Sequence, residues 1–290
     1  MKTEQFTYDG EKKIRLQNVK TGAPSEMKEK KEEIIQKTEE NILKLSRYQE
    51  KLYAEGKEGV IFLLQARDAA GKDSTIKHIM TGVNPQGVQV FSFKTPSKEE
   101  LAHDFLWRFN KVLPERGMIA IFNRSYYEDV LVVKVRDLPK TYKMPKRCLK
   151  ADFFKKRYAH INNYEDELYE NGYEIIKVFL NVSKDEQKKR FLERIDTPEK
   201  NWKFSSSDLE ERGLWDEYTK AFEKMVNETS TKTAPWYVVP ADNKWYARYI
   251  ISEILLSRFR KINPKFPEMP EEEKARLMEC REKLMAEAEE

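Results

Sequence analysis

Cysteine, histidine and long apolar runs are all scarce in this sequence. Its two cysteines, Cys148 and Cys280, stand far apart with no CxxC pair and no histidine partner. That excludes a zinc ribbon or a disulfide scaffold and points to a reducing, cytoplasmic setting. No stretch approaches ~18 uncharged apolar residues, so no transmembrane helix and no membrane partner are expected. Met1–Lys20 carries charges throughout and has no apolar h-region, so no secretory signal is expected. No internal repeat or low-complexity linker is visible. Apolar residues make up 39% of the 290 positions, below the usual ~45–50%. The 15 Phe, 14 Tyr and 5 Trp can nevertheless build a core, which excludes wholesale disorder.

Charge is plentiful: 36% of residues are Asp, Glu, Lys or Arg, yet the net charge is only +4. The balance is uneven along the chain. Residues 271–290 carry eight acids and four bases, whereas residues 134–157 hold ten Lys/Arg against Asp137 and Asp152. So basic a stretch asks for a phosphate-rich or polyanionic ligand, although a solvated helix face would read the same way.

Short apolar runs alternate with long amphipathic ones. Buried-strand signals fall at 60–64, 88–93, 118–122, 175–180 and 236–239. Helical stretches fall at 26–55, 72–81, 98–111, 146–171, 184–195, 208–229, 244–261 and 270–288. The alternation predicts an α/β chain with a central parallel five-stranded sheet between two layers of helices. A single domain over 1–290 is expected, with an N-terminal helical extension at 26–55 and a C-terminal helical tail at 262–290. Ligands of such sheets sit beyond the C-terminal strand ends.

The first strand runs into Gln65-Ala66-Arg67-Asp68-Ala69-Ala70-Gly71-Lys72-Asp73-Ser74-Thr75-Ile76-Lys77. Small residues between a strand and a helix let backbone N–H groups turn inward. The helix N-terminus adds positive charge, and a lysine can reach outer phosphates. Ala69, Ala70, Gly71, Asp73, Ser74, Thr75 and Lys77 are therefore phosphate-binding candidates beside Lys72. The strict GxxxxGK[ST] pattern is broken twice, by Ala66 and by Asp73. Asp68 would repel phosphate unless a cation bridged them, so it reads as a Mg²⁺ anchor, the alternative being a turn residue or helix cap.

A second signal, Ile121-Phe122-Asn123-Arg124-Ser125-Tyr126-Tyr127-Glu128-Asp129, closes the third strand. Arg124 can pair bidentately with phosphate oxygens. Asn123 offers a neutral oxygen to a metal. Glu128 reads as a holder of metal-bound water or as an orienter of substrate, and either acid would also suit a helix's first turn.

These residues resemble the polyphosphate kinase 2 family of phosphate-loop kinases. Asp68, Ala70, Gly71, Lys72, Ile76 and Lys77 match its D-x-A-G-K-x-x-x-I-K loop, and Phe122, Asn123, Arg124, Ser125 and Tyr127 match its F-(D/N)-R-S-x-Y segment. Further matches are Arg190-Phe191, Arg194 and Pro198, then Trp202-Lys203, Ser205 and Asp208, then Trp215, Tyr218, Ala221 and Met225, and Ala234-Pro235-Trp236. The likeness runs from about Lys30 to Arg260.

The resemblance implies a three-layer P-loop kinase fold with a helical lid at 194–208. It also implies reversible phosphoryl transfer, with Mg²⁺, between inorganic polyphosphate and adenine or guanine nucleotides. Asp68, Lys72, Arg124 and Arg194 would be catalytic. Asn123, Tyr127 and Glu128 would bind nucleotide, and Asp68, Asn123 and Glu128 would face the metal. Glu128 in the Tyr-Glu-Asp triplet suggests the group that accepts both mono- and diphosphates, and the family commonly forms dimers or tetramers. An acceptor phosphate is already ionised near neutral pH, so the three histidines need no catalytic role. Trp202 and Trp215 read as packing anchors, and Arg116 as an extension of the basic groove. Two alternatives remain: an ATP-dependent nucleoside monophosphate kinase, and a nucleic-acid-binding or scaffolding protein with a vestigial loop. No nucleic-acid module is visible, so nucleic acid is not expected as a partner.

Overall fold

A computed structural model describes residues 3–287 of the chain. Residues 1, 2 and 288–290, the ends of the expected single-domain span, lie outside the described residues. The apolar runs become β2 (Gly59–Ala66), β3 (Val88–Ser92), β4 (Ile119–Asn123), β5 (Tyr173–Asn181) and β6 (Trp236–Pro240). All five pair in parallel. A short strand that the sequence pattern did not reveal, β1 (Thr7–Tyr8), adds antiparallel to β6 and makes the sheet six-stranded, in the order β1-β6-β5-β2-β4-β3.

The two faces of β2 explain the layers. Val60, Phe62 and Leu64 point into one apolar cluster, Ile61 and Leu63 into the other. A strand covered on both faces needs apolar residues throughout, which is why it reads as a continuous run. The first face is covered by helices Lys31–Glu55, Lys72–Ile79 and Lys244–Ile262 and the second by Phe153–Glu170 and Trp215–Thr229. Helix Lys31–Glu55 buries Ile34, Ile42, Leu45 and Leu52, spaced to share one face. It ends at Gly56, whose φ of 63° suits a left-handed cap. Its buried face joins the first apolar cluster against the sheet.

Three long expected helices are interrupted. The 98–111 stretch splits into Lys98–Ala102 and Trp107–Asn110, because the Asp104 side chain accepts the Leu106 N–H and starts a new turn. Residues 146–152 form isolated turns, and the helix begins at Phe153. The 208–229 stretch divides at Leu214 into Ser206–Gly213, whose start is fixed by a Ser205–Asp208 capping box, and Trp215–Thr229, with a short 3₁₀ helix, Pro198–Lys203, ahead of them. Helix Glu271–Glu287 is exposed along its length. No helix among the described residues is long and apolar enough to cross a membrane.

β2 has β4 on one side and β5 on the other, and the chain visits β3 and β4 before β5. The sheet therefore reverses direction at β2, and the crevice beyond its C-terminal end is where ligands of such sheets bind.

Candidate active site

The turn after β2 has a left-handed residue at Ala69 (φ 59°) and at Gly71 (φ 104°). Alanine in that region is strained, which marks a backbone shape held from outside. Helix Lys72–Ile79 then starts with no side chain capping it. The first-turn amides of any helix lack intrahelical acceptors, so those of Lys72, Asp73 and Ser74 are left to face an anion. The Lys72 ammonium folds back onto the Ala66 carbonyl at 3.1 Å. Burial and the Arg124 guanidinium push its pKa down, while Asp68, Glu128 and Asp73 hold it up.

Arg124, at the end of β4, also sits at positive φ (65°). Its N–H donates to the Leu64 carbonyl at 3.1 Å, and its Nη2 donates to Asp68 Oδ1 at 2.8 Å. Glu128 is the foremost group raising the Arg124 pKa, against burial. Gln65 binds Glu128 in the amide orientation that satisfies both ends: its nitrogen donates to Glu128 Oε1 at 2.9 Å and its oxygen accepts from Ser125 N at 3.0 Å. Burial pushes the Glu128 carboxyl up, opposed by Arg124 and Lys72. Asp68, Lys72, Arg124 and Glu128 thus form one cluster at the crevice.

The other expected site residues are sorted by their surroundings. Asn123 Nδ2 donates to Asp73 Oδ1 at 2.7 Å, tying the two loops together. The Ser74 hydroxyl donates to the Gly71 carbonyl at 3.0 Å, and the Thr75 amide bonds to the same carbonyl inside the helix. Lys77 is exposed in the helix's last turn. Arg194 lies in the last turn of helix Lys184–Asp196, where it donates to the Lys203 carbonyl at 3.3 Å and approaches Asp208 at 3.9 Å.

Tyr127 requires correction. It is fully buried, donates its hydroxyl to Glu165 at 2.7 Å and packs edge-on to Trp236, so it is a core residue with no face for a nucleotide. Trp202 is also not an anchor: it is 78% exposed. Trp215 does pack, with the Arg67 guanidinium 4.1 Å from its ring centre. Burial pushes Arg67 down to about 10.

The basic stretch is less uniform than its composition suggests. Arg157 is buried, 2.5 Å from Asp129 and against the Phe105 ring, while Arg136 pairs with Glu211 at 2.7 Å. Lys143, Lys146, Arg147, Lys150 and Lys155 remain exposed. Arg116 binds the Asn171 carbonyl just before β5, at the opposite end of the sheet from the crevice, and cannot extend a groove there.

Among the described residues no group of three or more His, Cys, Asp or Glu is arranged to hold a metal. Mg²⁺ does not need one, since it binds through one or two carboxylates with phosphate oxygens and water. Asp68 fits that role: Arg124 occupies Oδ1, and Oδ2 accepts no hydrogen bond among the described residues. Asn123 engages Asp73 through its amide nitrogen, which leaves its side-chain oxygen as the atom it could offer a metal.

Two groups that matter here were not assigned from sequence. Arg190 and Gln187, on helix Lys184–Asp196, are buried and donate to the phosphate turn's carbonyls. Charged and polar side chains on the buried side of an amphipathic helix are the signal that could have found them.

Known proteins resemble this chain over most of its length. Residues 28–267 match the family described as Polyphosphate kinase 2. The chain is 46% identical over 287 residues, 98% of its length, to an "ADP-polyphosphate phosphotransferase" of Rhodopseudomonas palustris, 99% of which is covered. It is 48% identical over 225 residues to an "AMP/ADP-polyphosphate phosphotransferase" of Meiothermus ruber, covering 78% of this chain and 80% of that one. Among solved structures it resembles a polyphosphate kinase 2 from Arthrobacter aurescens TC1, with a TM-score of 0.76 and 42% identity over 83% of this chain and 84% of that one.

Proposed function

Because this chain belongs to the polyphosphate kinase 2 family, we propose that the cluster of Asp68, Lys72, Arg124 and Glu128 is where its phosphoryl transfer takes place. The enzyme is a polyphosphate-dependent nucleotide phosphotransferase, as its relatives' names indicate, and those names do not favour an ATP-dependent monophosphate kinase. A nucleic-acid-binding role would leave the Lys72–Asp68 arrangement without a purpose.

Phosphoryl transfer passes through a loose transition state, so catalysis is largely positioning and charge neutralisation. The first-turn amides and Lys72 bind the phosphate oxygens. Arg124, fixed by Asp68, neutralises charge on the migrating group. Asp68 would hold Mg²⁺ through its free oxygen, and the ion would supply further positive charge to the phosphates. Arg194, carried by the lid at 194–208, approaches when the lid closes, excluding water and limiting hydrolysis. An ionised acceptor phosphate needs no strong general base. The exposed cations at 143–155 line the path of a polyphosphate chain, whose charge at every unit requires cations more than shape.

Both AMP and ADP serve as acceptors in this reading. Glu128 supports it, together with the AMP/ADP name carried by the Meiothermus ruber relative. Two free cysteines suit the cytoplasm. The exposed Leu277, Met278, Leu284 and Met285 on the terminal helix support association into a dimer or tetramer.

The observation that carries the reading is the uncapped helix start, with Lys72 and the Asp68–Arg124 pair converging on it. The test is purified protein with Mg²⁺, long-chain polyphosphate and either AMP or ADP, with ATP as the competing donor. The expected result is ADP and then ATP formed from AMP with polyphosphate as donor. Transfer from ATP alone would refute it, and turnover of ADP without AMP would remove the monophosphate activity.

A further inference from the structure

Every carbonyl of the phosphate turn from Ala66 to Gly71 accepts a hydrogen bond. The turn supplies some of these itself: Lys72 Nζ donates to Ala66, the Ala70 amide to Arg67 at 3.3 Å, and the Thr75 amide to Gly71 at 3.0 Å. The remaining three are held from outside by one helix. Gln187 Nε2 donates to the Asp68 carbonyl at 3.0 Å. Arg190 Nη1 donates to the Ala69 carbonyl at 3.0 Å and the Ala70 carbonyl at 2.8 Å. Gln187 and Arg190 lie three residues apart on helix Lys184–Asp196, hence on the same face. Both are nearly solvent-free, at 3% and 5% exposure.

The second ends of these side chains reach other parts of the site. Arg190 Nη2 donates to the carbonyls of Ala241 (2.7 Å) and Asp242 (3.0 Å), in the loop after β6. Its Nε donates to Glu186 at 2.8 Å. The Gln187 oxygen accepts from Arg212 Nη1 at 2.9 Å, and Arg212 belongs to helix Ser206–Gly213, into which the lid segment 194–208 runs.

We infer that Gln187 and Arg190 are positioning residues that pull the carbonyls of residues 68–70 to the rear of the turn and so present its amides to phosphate. A carbonyl and the next amide share one peptide plane and point in opposite directions, so holding the Asp68 and Ala70 carbonyls aims the amides of Ala69 and Gly71, while the Ala70 amide is taken by the Arg67 carbonyl. The left-handed Ala69 needs such an outside restraint. The Arg212–Gln187–Asp68 path also places helix Ser206–Gly213 one hydrogen bond away from the brace, so a shift of the lid is felt by the turn. The inference rests on the reading of this turn as the phosphate site.

Three single variants, Arg190→Lys, Gln187→Leu and Lys72→Ala, separate the two ideas, with the exposed Lys188→Ala as control. Each is assayed well below its own melting temperature for kcat, for KM of polyphosphate and of ADP, and for binding of tripolyphosphate by calorimetry. A turn misplaced by an ångström costs about 100-fold in rate. Arg190→Lys and Gln187→Leu should therefore lose about that much kcat and at least about tenfold in tripolyphosphate affinity while remaining folded, as neither removes a group that touches substrate. Lysine has three donors but no fixed fork, so Arg190→Lys cannot hold the Ala69, Ala70, Ala241 and Asp242 carbonyls together. Folded Arg190→Lys and Gln187→Leu with unchanged kinetics and tripolyphosphate binding would overturn the brace, even with lowered melting temperatures. Unchanged tripolyphosphate binding in Lys72→Ala would instead overturn the phosphate-site reading beneath it.

Discussion

Replacing Lys177 with methionine tests how the site is supported from below. Lys177 is on β5 with no exposure, beneath the Ser125–Asp129 turn. Its ammonium donates to Glu165 Oε2 (2.6 Å), the Thr229 carbonyl (2.6 Å) and the Tyr127 hydroxyl (3.0 Å). Glu165 Oε1 accepts in turn from Tyr126 (2.8 Å) and Tyr127 (2.7 Å). Burial lowers the Lys177 pKa, opposed by Glu165. Lys177→Met keeps the stem's volume and removes the charge, leaving a buried carboxylate with two phenols and no cation. Breaking such a pair from one side costs about 3–5 kcal/mol. At roughly 2–4 °C per kcal/mol for a chain of this size, the melting temperature should fall by roughly 6–20 °C. The double variant Lys177→Met/Glu165→Leu should recover most of that, because no lone charge remains. Urea unfolding of the wild type, both singles and the double gives the coupling directly. A Lys177→Met loss below about 1 kcal/mol, or a double variant no more stable than that single, would refute the reasoning.

Lys72→Ala and Asp68→Asn should each lower kcat by about 10²–10³ with little change in melting temperature, and a loss below about tenfold would count against the assigned site. Gly71→Ala places a Cβ at φ 104°, 3.4 Å from Ser74 Oγ and 3.7 Å from Arg190 Nη1. It should cost about 1–3 kcal/mol in urea unfolding and most of the activity. Burial raises the Asp129 carboxyl from 3.8 to about 6, against the pull of Arg157. The folded chain therefore holds this proton more tightly than the unfolded chain does. The group's contribution to stability is full below pH 3.8 and is lost as pH rises to about 6. Carbon-detected NMR of the Asp129 carboxyl should titrate near the upper value; a midpoint at 3.8 would contradict the burial argument.

The parallel strands were legible because β2, β4, β5 and β6 are covered on both faces and must be apolar residue after residue. β1 was not: Thr7 and Tyr8 are too short to show a period, and only pairing with β6 orders them. The helix break at Asp104 depends on a side chain bonding to nearby backbone, which competes with helix but leaves hydrophobic spacing intact. In the site, the phosphate turn and Arg124 are contiguous motifs with local chemistry, so the sequence displays them. Gln187, Arg190 and the Lys177–Glu165 pair act across long sequence separations, and nothing in local spacing reports a contact between residues 190 and 69. Tyr127 illustrates the converse. It shares a motif with site residues yet points into the core, because the turn after β4 buries Ser125, Tyr126 and Tyr127 in succession between Arg124 and Glu128.

The central claim is that the turn after Leu64 wraps phosphate. A crystal structure of the enzyme with tripolyphosphate or ADP tests it most directly. Phosphate oxygens should lie within hydrogen-bond reach of the Lys72, Asp73 and Ser74 amides and of the Lys72 ammonium. An ordered ligand elsewhere in the protein, with this turn vacant, would contradict it.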